Sequence, residues 1–72
     1  MTYGQDRTYK KVEVIGVSKR GLEDAIQVAL KKAAGTVEQL SWFEVQDIRG
    51  HVNTKGEITE YQVVLKISFQ LE

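Results

Sequence analysis

The sequence predicts an α+β domain of order β-α-β-β, its last two strands forming a long hairpin. Three observations predict it. Leu22, Ala25, Ile26, Ala29, Leu30 and Ala33 make an unbroken apolar stripe at helical spacing. Further on, Tyr61, Val63, Leu65, Ile67, Phe69 and Leu71 alternate with Gln62, Val64, Lys66, Ser68 and Gln70, as the two faces of a strand do. Two more segments, one on each side of the stripe, are rich in Val, Ile and aromatic residues.

Residues 1–8 are polar and without periodicity, and read as a loose arm ahead of a single domain over 9–72. Tyr9 to Val17 is the expected first strand. Val12 and Val14 are in one phase, Ile15 and Val17 in the other, so a bulge or strong twist is expected near Val14. Ser18 is the expected helix cap. Glu23 and Asp24 early in the helix, and Lys31 and Lys32 late, suit its dipole. Gly35 is the expected terminator, and Val37 and Leu40 close the core beneath the next loop. Trp42 to Val52 reads as the second strand and Glu57 to Leu71 as the third. Asn53-Thr54-Lys55-Gly56 between them carries turn chemistry.

A chain of 72 residues makes one small domain. At this size only about 60% of the unfolded chain's surface becomes buried, and small folds need a staple. The chain has no Cys and one His, His51, which leaves oligomerisation rather than disulfides or metal. Ten basic and ten acidic residues give zero formal charge. The pairs Lys10-Lys11, Lys19-Arg20 and Lys31-Lys32 read as solvated surface, so no nucleic-acid partner is expected. No apolar run has the length of a membrane span, and the start lacks a signal-peptide core, so the expectation is a cytoplasmic protein with no membrane partner.

Trp42 and Phe43 are adjacent, so in a strand they point to opposite faces. Phe43 shares its phase with Val45, and both are placed inward beside the Tyr61-to-Leu71 face. Trp42, Glu44 and Gln46 then point outward, as does Gln62. A bulge or twist near Asp47 would turn Ile48 inward and Arg49 outward. The outer face would carry Trp42, Gln62 and Arg49. An exposed Trp there fits either an oligomer contact or a platform for a flat ligand. Gln62 has the donor and acceptor that match a pyrimidine-dione edge, and Arg49 could meet a phosphate or a ring.

At these residues the sequence resembles the dodecins, small flavin-binding proteins of bacteria and archaea. The resemblance runs from Tyr9 to Glu72. Tyr9-Lys10-Lys11-Val12-Glu13, Gly16-Val17-Ser18, Leu22-Glu23-Asp24-Ala25, Trp42-Phe43-Glu44-Val45, Ile48-Arg49-Gly50 and Glu60-Tyr61-Gln62-Val63-Val64-Leu65 carry it. The Trp-Phe-Glu-Val and Tyr-Gln-Val-Val segments look like the bacterial branch. The resemblance implies a three-stranded antiparallel sheet wrapped around one helix, and a hollow homododecamer. It further implies FMN or riboflavin bound in pairs at two-fold axes, between Trp residues of neighbouring protomers. Trp42 would stack on the isoalloxazine and Gln62 would bind its pyrimidine edge. Asp47 matches a position near the ligand in archaeal members, and Arg49 one that binds flavin or its phosphate in bacterial ones. Some bacterial members have Arg where this chain has Gln70, a departure that weakens phosphate contact. Some also bind coenzyme A.

Little in the residues supports an enzyme. Ser18, Ser41 and Ser68 lack a nucleophile motif, Gly16 and Gly21 form no phosphate loop, and Glu44, Asp47, Glu57 and Glu60 read as solvated carboxylates. The expected function is non-catalytic flavin storage and quenching. The alternatives are a structural oligomerisation module or a coenzyme A-binding protein.

Overall fold

The computed structural model describes residues 6–71. Residues 1–5, most of the expected arm, lie outside them, as does Glu72. The elements are β1 (Thr8–Ser18), α1 (Leu22–Ala34), β2 (Leu40–Val52) and β3 (Ile58–Leu71). They follow the predicted order, and the sheet is antiparallel with strand order β1-β3-β2. The most regularly alternating strand in the sequence is thus the central one. Its inner face holds Val63, Leu65 and Ile67, all fully buried. Ala25 and Ala29 of α1 press on them, and Val12, Val14, Ile26, Leu30, Ala33 and Leu40 close the periphery.

The helix reaches the sheet closely because of small residues on both sides. A Cβ at Gly16 would collide with the Ala25 carbonyl oxygen and lie 3.0 Å from the Ala29 Cβ. Gly16 lies opposite Val63 in β1, so this contact seats α1 over β1 and β3.

Three expectations need correction. No bulge interrupts β1: its pairing with β3 is unbroken from Thr8↔Leu71 to Ser18↔Tyr61. Ile15 and Val17 simply stay on the outer face, opposite Val64 and Gln62, half exposed. Nor does Ser18 cap the helix. The cap position is Gly21, whose carbonyl accepts the Ala25 N–H at 3.0 Å. Ser18 ends β1 and organises the loop instead: its hydroxyl accepts the Arg20 N–H at 2.9 Å and donates to Asp24 at 2.6 Å. Thirdly, Phe43 and Val45 do face inward, opposite Ile67 and Leu65, but both remain exposed. One short helix over β1 and β3 leaves the inner face of β2 bare.

Gly35 ends the helix as expected, but with φ −80° rather than a left-handed turn. The hairpin turn is fixed by Asn53. Its side-chain oxygen accepts the Lys55 and Glu57 N–H groups, while Gly56 takes a φ of 81°.

Candidate functional site

Directly opposite residues of paired strands share a face, so the register defines the outer surface. Two irregularities of β2 shape it. The first lies between Leu40 and Trp42, and sends Leu40 inward opposite Phe69 and Trp42 outward opposite Ser68. The second lies between Val45 and Asp47, where the phase change was expected. Past it, Asp47 lies opposite Val64, Ile48 opposite Val63 and Arg49 opposite Gln62. Asp47 and Arg49 therefore join Trp42, Glu44 and Gln62 on the outer face. Gln46, expected there too, is the extra residue of the bulge and has no cross-strand partner.

Trp42 is 43% exposed, and its surroundings are specific. Its indole N–H donates to Glu44 Oε2 at 3.1 Å. The same oxygen takes the Lys11 ammonium at 2.7 Å. These two donors hold the Glu44 carboxyl below the usual carboxylate range, Lys11 first and Trp42 second. Tyr9 meets the indole with ring centroids 4.8 Å apart and planes tilted by 55°, a slanted contact rather than a parallel stack. Lys11 and Trp42 are both register partners of Ser68, which lies between them on the central strand. Ser68 is fully buried, and among the described residues its hydroxyl has no hydrogen-bond partner.

The polar residues form a second cluster. Arg49 Nε donates to Gln62 Oε1 at 3.0 Å, and Gln62 Nε2 donates to Glu60 at 2.9 Å. His51 lies 3.9 Å from the same Glu60 oxygen. Asp47 accepts the Ile48 N–H at 3.0 Å and stands 4.0 Å from the Arg49 guanidinium. Gln62 is half buried and held at both ends of its amide. Among the described residues these bonds engage one amide hydrogen and one oxygen lone pair of the side chain.

The structure brings Asp47, Arg49 and Gln62 together and keeps Trp42 apart. Gln62 and Ser68, the β3 partners of Arg49 and Trp42, are six positions apart, about 20 Å at ~3.3 Å per residue. No single flat ring can stack on Trp42 and bind Gln62 of the same protomer. Tyr9, Lys11 and Glu60 also belong to these clusters, although they were not expected there. Trp42 and Glu44 are same-face neighbours in any strand, so their bond was within reach of pattern reasoning. Lys11 needed the β1 register, which nothing in the sequence states.

Known proteins agree with this architecture. The dodecin family profile matches residues 8–72. A dodecin from Thermus thermophilus is 53% identical over 66 residues, covering 92% of this chain and 94% of that protein. A crystallised tryptophan-to-phenylalanine mutant of the T. thermophilus dodecin superposes with a TM-score of 0.86 at 51% identity, covering 93% of this chain and 98% of the other. The dodecin of Streptomyces davaonensis gives 0.87 at 35% identity, covering 94% and 98%. With near-complete coverage in sequence and in fold, the chain belongs to the dodecin family.

Proposed function

We propose that the protein binds and stores FMN or riboflavin in a homo-oligomer, without catalysing a reaction, and quenches the bound flavin's photochemistry. The observation that carries this reading is the division of the outer face. It holds an exposed indole at one end and an oriented amide beside an arginine at the other. A flat heterocycle with a hydrogen-bonding edge needs both, and only a neighbouring copy can supply the second.

The residues fit the group. Trp42 offers a π-face, worth about 0.5–1.5 kcal/mol per stacked pair beyond area burial. Gln62 offers a donor and an acceptor in one plane, matching an N–H flanked by carbonyls. Arg49 and Glu60 hold the two ends of the amide and set its orientation, with Asp47 beside the Arg49 guanidinium. Val64 and Ile15 lie on the same face between Trp42 and Gln62, and Val17 lies directly opposite Gln62. A bound flavin would supply a light-absorbing, redox-active ring, to which the easily oxidised indole of Trp42 can give an electron.

The test is a titration of purified protein with FMN and with riboflavin. Both should be bound with strong quenching of flavin emission, and Trp42→Phe should bind more weakly and restore emission of the bound fraction. If the Phe variant binds and quenches as the parent does, Trp42 is not the quencher. If neither flavin changes Trp42 emission, the flavin reading fails.

A further inference from the structure

We propose that Glu44, held in place by Lys11, is the positioning residue for Trp42: it fixes the indole plane on the sheet before any ligand arrives. The inference rests on the flavin reading for its functional consequence, while the geometry stands in the protomer alone.

An exposed tryptophan on an edge strand is ordinarily free to change rotamer. Here its one polar atom is committed. The indole N–H points to Glu44 Oε2, so rotation about either side-chain torsion would break that bond. Glu44 is itself restrained, because the oxygen receiving the indole also receives Lys11. Lys11 belongs to the opposite edge strand, so the bridge crosses the central strand and ties β1 to β2 above it. Beneath the crossing lies Ser68, a side chain small enough to be fully buried there. Tyr9 blocks a slide toward β1.

The alternative is that Glu44 is a surface carboxylate in an incidental ion pair. Such a pair is worth little when exposed, and it would have no reason to share one oxygen with the indole. Charge and position can be separated by substitution. A glutamine keeps a carbonyl that accepts the indole N–H, drops the charge and puts an NH2 donor in place of the second oxygen. Alanine drops both acceptor and charge.

Trp42 is the sole tryptophan, so its signals report one indole. In the ligand-free assembly, Glu44→Ala should lose the near-ultraviolet circular dichroism of the indole and gain a fast component in its anisotropy decay. Glu44→Gln should retain both parent signals, and Lys11→Met should fall between. Ordering a side chain at the moment of binding should weaken FMN affinity of Glu44→Ala about two- to tenfold, with Glu44→Gln near the parent. Native mass and far-ultraviolet dichroism identify any variant that assembles wrongly. An unchanged anisotropy decay in Glu44→Ala would overturn the proposal. So would an indole that becomes mobile with no loss of FMN affinity. Should the parent bind no flavin, the flavin reading fails, and the ligand-free measurements still decide whether Glu44 fixes Trp42.

Discussion

The Glu44 carboxylate joins β1 to β2 through one oxygen, which takes Lys11 and the Trp42 N–H, while Lys66 lies opposite it on β3. Its lowered pKa follows first from Lys11, then from the indole N–H, with Lys66 adding a smaller Coulombic pull. A lowered folded-state pKa sets the sign: the contact is complete above the usual carboxylate range and is lost as pH falls through the lowered value. Trp42 emission in ligand-free protein should therefore change with a midpoint below that of a free glutamate. Lys11→Met should move that midpoint upward. A fluorescence titration from neutral to acid pH measures both, and a parent midpoint at or above the ordinary glutamate value contradicts the assignment. Asp24 behaves alike at the other end of the fold. Ser18 is the first cause of its lowered pKa, ahead of Arg20. Ser18→Ala removes two hydrogen bonds from a buried hydroxyl, and should cost about 1–2 kcal/mol in denaturant unfolding.

The approach of one element to another can rest on a single residue. Gly16 is that residue for β1 and α1. Because an added methyl meets the Ala25 backbone, the strand or the helix must move. Gly16→Ala should lower stability by about 1–3 kcal/mol or more, seen as an earlier thermal transition, whereas Gly21→Ala meets nothing within 4 Å. A Gly16→Ala protein as stable as the parent would mean that the helix does not pack as described. The contrast also shows what was legible in the residues. The helix stripe, the clean alternation of β3 and the phase of Phe43 with Val45 follow from periodicity alone. The phase change near Asp47 was visible because Ile48 and Arg49 break the pattern set by Phe43 and Val45. The mixed phase of β1 misled, because Ile15 and Val17 look like core in a chain read alone. They are apolar on the outer face, where no element of the same protomer covers them. Strand order was illegible, and with it the contact of Lys11 with Glu44, since no local pattern says that β3 lies between β1 and β2.

The protomer is extended for a chain of its length. Its radius of gyration is 15.2 Å, against about 11 Å for a compact chain of this length. The helix leaves the inner face of β2 bare, with Phe43, Val45 and Ile48 exposed and Val52 64% exposed. A trough of about 300 Å³ is lined by Leu22, Ile48, Val52, Ile58 and Tyr61. The chain has no disulfide to offset so small a core. Self-association would remove this face from water, and the proposed flavin site would need it too, since Trp42 and Gln62 would share a ring only across copies. Ile48→Glu separates the two requirements. It introduces a charge at a position 54% exposed in the protomer, so an isolated chain would tolerate it. In an assembly that buries this face, an unpaired carboxylate is costly. Native mass spectrometry should show the parent as one multi-subunit species, at twelve times the protomer mass if the homododecamer holds, and Ile48→Glu as smaller species. The parent's melting temperature should rise with protein concentration. FMN binding should disappear with the assembly, although no residue of the proposed site is altered. A variant of parental mass would show that β2's inner face is not the interface. A dissociated variant that still binds FMN at parental affinity would show that one protomer suffices for the site.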